Sequence, residues 1–131
     1  MIHCRLHEEE NWAELELDGR IDRSGFDAVA KELGAFMDQR GRIGILKHIR
    51  SFGGIAPSVL WDDLKFGFQH LKHCGPVAVV SEKRWIEVWT RLARPFWSSE
   101  VAFFEPQELE GAREWLAAAV QRDRAARPVG G

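Results

Sequence analysis

"FGGIAPSVLWDDLKFGF", Phe52 to Phe68, carries the reading of the fold. Two glycines, Pro57 and Ser58 stand directly ahead of a segment with helical periodicity. Glycine and proline punctuate connections, and proline is tolerated in the first turn of a helix. The stretch therefore predicts a strand-to-helix turn with a helix beginning near Pro57. It is not a nucleotide loop, because no Gly-Lys-Ser/Thr follows the glycines to grip phosphate. "IGIL" (Ile43–Leu46) precedes it and "PVAVV" (Pro76–Val80) follows. Both are continuous apolar runs, the pattern of strands buried on two faces of a parallel sheet.

Working outward, residues 2–7 and 12–17 read as short strands joined by the polar turn Glu8–Asn11, an antiparallel hairpin. "WAELEL" alternates, with Trp12, Leu15 and Leu17 marking sheet faces, and Gly19 is expected to end the strand. Ser24 with Asp27 resembles a capping box. Phe26, Val29, Ala30, Leu33, Phe36 and Met37 then recur at helical spacing as far as Gly41. Lys83–Ala93 predicts a third helix and "VAFF" (Val101–Phe104) a last strand. Pro106 suits a first helical turn, and Leu109, Ala112, Leu116 and Ala119 line a fourth helix. The order ββαβαβαβα predicts a single α/β domain over residues 1–121. Its sheet is mixed but mainly parallel, with about five strands, an N-terminal antiparallel hairpin and four flanking helices. Residues 122–131 read as a frayed, flexible tail.

Composition narrows the function. A net charge of −2 lacks the basic excess of a nucleic-acid binder, so no nucleic-acid partner is expected. No apolar run approaches the ~20 residues that cross a bilayer, and MIHCRLHEEE has no signal-peptide core. These features predict a cytoplasmic protein, with Cys4 and Cys74 as reduced thiols. Six Trp and eight Phe without a Tyr predict a bulky core with aromatics left over for binding.

Trp61-Asp62-Asp63-Leu64-Lys65-Phe66-Gly67, the "AVVSEKRW" step ending at Trp85, and "ARPF" followed by "EVAFF" resemble the bacterial SpoIIAA-like proteins of the STAS/SEC14-related fold group. The resemblance covers nearly the whole chain. It implies a small non-enzymatic α/β domain without a cofactor. STAS members act as phosphorylation-controlled partners of regulatory kinases, and SEC14-like relatives bind lipids. Membrane association and ligand binding have been proposed for the SpoIIAA-like branch. STAS antagonists carry an Asp-Ser step after the third strand; here Ser58 is near that place, preceded by Pro57. Ser58 is the candidate phosphosite.

The residues themselves offer several candidate sites. The helix start near Ser58, with Arg50 at the carboxyl end of a buried strand, could hold an anion. Asp62 and Asp63 point about 100° apart on a helix and cannot act as a carboxylate dyad. His70 and His73, with Asp63 seven residues before His70 on a similar face, could approach one metal, but no fourth ligand is evident, so no metal site is expected. His7-Glu8 lacks the second histidine of a zincin, and no Gly-x-Ser-x-Gly elbow exists. The aromatic surplus lies at Trp61, Phe66, Trp85, Trp89 and Phe96, more apolar surface than one packing face requires. These five residues predict a pocket for an apolar or lipid-like ligand, with peripheral membrane contact. The alternative expectation is a STAS-type module that binds a protein partner or a second copy of itself.

Overall fold

Two strands joined by a tight turn open the chain. A computed structural model describes residues 2–21, 23–55, 74–82 and 101–126. β1 (Ile2–His7) pairs antiparallel with β2 (Trp12–Ile21), with Ile2 opposite Leu17 and His7 opposite Trp12. In the turn, the Glu10 N–H donates to the His7 carbonyl at 3.2 Å. Asn11 takes a φ of 59°, a left-handed conformation that asparagine tolerates better than most residues. β2 does not stop at Gly19. The register with β3 (Ile43–Ile55) slips between Leu17 and Asp18 and again between Gly19 and Ile21. Gly19, at φ 76°, thus sits in a bulge inside the strand.

β3 pairs parallel with β2 and with β4 (Cys74–Val80), and β4 pairs parallel with β5 (Val101–Phe104). The sheet order is β1-β2-β3-β4-β5, the expected mixed five-stranded sheet. One expectation fails here. Phe52–Ile55, the first half of the anticipated turn, is strand: Phe52 pairs with Gly19 and Ile55 with Ile21. The long partner β2 offers main-chain pairing that overrides the weak strand propensity of Gly53 and Gly54. Arg50 accordingly lies inside β3 rather than at its end.

α1 (Arg23–Arg40) follows β2. It already includes Arg23, so Ser24 is a first-turn residue and not the cap expected of it; Asp27 instead lies 3.9 Å from Arg23, one turn away. Val29, Leu33, Phe36 and Met37 are buried as the periodicity predicted. Gly41 terminates the helix at φ 77°, its N–H donating to the Met37 carbonyl at 2.7 Å. After β5, Pro106 opens a 3₁₀ turn (Pro106–Glu108), and the Glu105 N–H donates to the Glu108 carboxylate at 2.9 Å. The C-terminal helix, α2 (Leu109–Ala126), follows. It runs past Gln121 into the segment read as tail, where Asp123 accepts two hydrogen bonds from Arg42, at 3.0 and 3.1 Å. The helices expected from Pro57 and over Lys83–Ala93 lie outside the described residues.

Each face of the sheet has its own core. On the α1 side, the four buried helix residues pack with Ala13, Leu15, Ile43, Ile45, Ile49, Val77 and Val79. Ile2, Cys4 and Leu6 of β1 lean on the same core. Burial, with Glu32 nearby, pushes the Cys4 thiol up to about 11, so it stays protonated. On the α2 side, Ala112, Leu116 and Val120 pack with Trp12, Leu46, Ala78 and Val80. The helix approaches closely because Gly44 lies beneath it: a Cβ there would meet Val120 Cγ2 at 2.5 Å. Among the described helices, none is long and apolar enough to cross a membrane.

Candidate functional site

Strand alternation builds the site. Ile2, Cys4 and Leu6 face the α1-side core, so His3, Arg5 and His7 take the opposite face. Trp12 and Leu46 belong to the α2-side core, which places Glu14 and Glu16 of β2, and His48 and Arg50 of β3, on that same face. Register aligns them in rows across three strands. Trp12 stands between His7 and Gly44, Glu14 between Arg5 and Leu46, and Glu16 between His3 and His48. α2 lies mainly over β3 and β4, leaving His3 and Arg5 exposed.

Glu14 anchors the arrangement. It is 5% exposed, yet it carries a charge that burial alone would disfavour. The Arg113 fork answers that cost: Nε donates to Oε1 at 3.0 Å and Nη2 to Oε2 at 2.8 Å. Burial pushes the Glu14 carboxyl up, but the Arg113 hydrogen bonds and charge, with His7 beside it, leave it below the ordinary carboxylate range. Arg113 is held above its usual value by the same pair, and it also bonds Glu110 one turn earlier on α2. His7 Nε2 stands 3.5 Å from Glu14 Oε1, at the outer limit of a hydrogen bond, while its ring stacks on Trp12 with centroids 3.8 Å apart. Trp12 Nε1 is buried without a hydrogen-bond partner among the described residues.

One row further along, Arg50 Nη1 donates to Glu16 Oε1 at 3.1 Å. Both side chains are open to solvent, so this pair stabilises little and its members can change partners. Burial lowers the pKa of His48 despite the opposing pull of Glu16 and Glu14. A carboxylate held low by a guanidinium fork is a poor base at neutral pH, where general acid–base catalysis wants a pKa near 7.

Among the described residues, the candidate anion ligand Arg50 falls on this face, and its guanidinium is engaged by Glu16. Ser58, Trp61, Asp62, Asp63, Phe66, His70, His73, Trp85, Trp89 and Phe96 lie outside the described residues. Among the described residues, no cluster of three or more His, Cys, Asp or Glu could hold a metal. A polar depression of about 720 Å³, lined by Glu8, Glu9, Asn11, Gln39, Arg40 and Arg124, lies beside the β1–β2 turn. There Arg40 Nη1 ties that turn to α1, donating to the Glu8 carbonyl at 2.6 Å and to Asn11 Oδ1 at 2.9 Å.

The SpoIIAA-like profile matches residues 13–117. The chain is a member of the SpoIIAA-like family. A similar solved structure is that of an uncharacterised protein of the DUF3478 family with a SpoIIAA-like fold from Shewanella loihica PV-4. The two are 23% identical, with a TM-score of 0.69 over 88% of this chain and 92% of that one. Apo-SiaC from Pseudomonas aeruginosa is also similar, at 13% identity and a TM-score of 0.56 over 77% of this chain and 88% of its own. At these identities both show the fold alone. No curated protein matches. Within this SpoIIAA-like domain, sequence reasoning missed Glu14, Glu16, His48 and Arg113. The alternation in "WAELEL" was the signal for the two glutamates.

Proposed function

We propose that this SpoIIAA-like chain is a non-enzymatic regulatory module of the cytoplasm that acts by binding another protein. The observation that carries the reading is the open face of β1–β3. Charged side chains stand there in register on the sheet, and the buried carboxylate of Glu14 is locked by Arg113 rather than poised for catalysis. Such a surface discriminates partners by charge and register more than by buried area. Membership of the family, with a fold shared by SiaC, supports the same reading. Ser58 is the candidate point of control by phosphorylation. The lipid-binding reading rests on Trp61, Phe66, Trp85, Trp89 and Phe96, and nothing among the described residues favours it. Native mass spectrometry of the full chain, isolated gently from its own host, tests the proposal. The expected result is a protein partner in defined stoichiometry. A lipid-sized adduct with no protein partner would overturn it, and phosphate mapping of the same sample tests Ser58.

A further inference from the structure

The two rims of the described sheet differ. β5, at one rim, is four residues long. β1, at the other, is six residues long and pairs with β2 without a break in register. No described strand lies on its outer side. β1 also lacks the devices that commonly blunt an edge: it has no proline, no lysine, no bulge and no charge turned toward the α1-side core. Ile2, Cys4 and Leu6 are only partly buried against that core, so apolar surface continues to the rim. On the opposite face Arg5 is exposed and makes no ion pair with a described residue. Its cross-strand neighbour Glu14 is held by Arg113 at both oxygens.

We infer that the outer edge of β1 accepts an extended segment of a partner protein as a further strand, with apolar and polar side chains in alternation and a carboxylate opposite Arg5. The inference rests on the protein-binding reading above and names the surface and the partner's chemistry. Main-chain pairing supplies the affinity and the alternate side chains the choice of partner. Apolar residues of the added strand would cover Ile2, Cys4 and Leu6, a side where Glu32 stands near Cys4 and disfavours another acid. On the other side the added strand lies about 4.8 Å from Arg5 and about twice that from β2, close to the Debye length at physiological salt, so Arg5 outweighs Glu14 and Glu16. Glu110 is open to water but is bonded to Arg113, on a helix that lies mainly over β3 and β4. The exposed Glu8, Glu9 and Glu10 follow the strand, so a basic residue suits that end. A second copy of β1 fits less well. Facing residues share a face, so Arg5 would meet His3, Arg5 or His7 of the copy's strand, and none is a carboxylate.

The end-capped peptide Lys-Thr-Val-Glu-Val-Thr-Val, titrated into the full chain to millimolar concentration, is the test, read by NMR. Run antiparallel, it sets its lysine against Glu8 and its glutamate against Arg5. The largest shifts are expected on β1 amides, whose hydrogen exchange should slow. N-methylating one alternate set of the peptide's amides should abolish binding, and methylating the other set should leave it, because only one set faces β1. Arg5→Glu, at an exposed position that should not disturb folding, is expected to weaken binding about threefold to tenfold, and replacing the peptide's glutamate with lysine should restore it. The inference is overturned by no binding, by shifts centred on another element, by equal loss from both methylated sets, by wild-type affinity in Arg5→Glu, or by a dimer of the chain that Arg5→Glu alters in sedimentation. Failure here is separable from failure of the general reading. A native partner that the bound peptide does not displace preserves the module and removes this edge as its seat. Peptide docking on β1 without any native protein partner does the reverse.

Discussion

The α1 side and the α2 side of the sheet use the same strands for different ends. Under α1, β2 to β4 present buried Ile, Leu, Val and Ala to a helix face of Val29, Leu33, Phe36 and Met37, and Ile2, Cys4 and Leu6 of β1 are partly buried against the same core. Under α2 the apolar core is narrower and stops at Trp12 and Leu46. Beyond them the same strands carry Glu14, Glu16, His48 and Arg50, joined to the helix through Arg113. The first face derives its stability from apolar area and the second from area plus one buried ion pair. The ion pair does something area cannot: it fixes the helix start over β2 with directed bonds, and it leaves the outer rows open.

Variants can break or sharpen this contrast. Removing a core side chain should cost most, and similarly on both faces. Leu33→Ala and Leu116→Ala are each expected to lose about 2–5 kcal/mol in chemical denaturation, the range for truncating a buried leucine. Arg113→Met should follow at about 3 kcal/mol, the low end for stranding a buried charge, since Arg113 is itself partly exposed. Adding Glu14→Gln should restore much of that loss. The pair also has a pH signature. Glu14 titrates lower folded than unfolded, so its contribution is present above the ordinary value of 4.5 and is lost as the pH falls through the folded one. Acid unfolding of the Glu14→Gln/Arg113→Met variant should therefore be shallower than that of the wild type.

Smaller effects test the ends of the elements. Gly41→Ala forces an L-residue into the left-handed conformation that closes α1, and should cost about 1–2 kcal/mol by thermal melting. Arg42→Ala removes the fork to Asp123 near the end of α2 and should cost about 1 kcal/mol or less, because both side chains keep some contact with water. A larger loss would show that the far end of α2 depends on that pair as its start depends on Glu14.

Much of this was legible in the sequence, and the gaps have physical causes. Alternation in β2, continuous apolar runs in β3 and β4, and helical spacing in α1 and α2 made these elements and most of their inward-facing residues legible. Local chemistry misled wherever a tertiary partner outweighed it. Ser51–Gly54 has the composition of a loop, yet β2 is long enough to hold it in register as strand. Gly19 reads as a stop and is a bulge. Ser24 reads as a cap and lies one residue inside the helix. Arg122–Ala126 reads as tail and stays helical, with Asp123 anchored by Arg42. The site was half legible. Glu14 and Glu16 alternate visibly with Ala13 and Leu15, but Arg113 is 99 residues away from Glu14, and only the register of β2 against β3 and the seat of α2 bring them together. The aromatics stand out in the sequence instead, because surplus apolar area is visible without a fold and a charge lattice is not.

The central claim is that the outer charges of the open face serve recognition and not the fold. Urea unfolding of Arg5→Gln/Arg50→Gln beside the wild type tests it most directly. The account predicts a stability within about 1 kcal/mol of wild type and an unchanged m-value, as for exposed ion pairs. A loss of more than about 2 kcal/mol, the size expected of a core truncation, would contradict it.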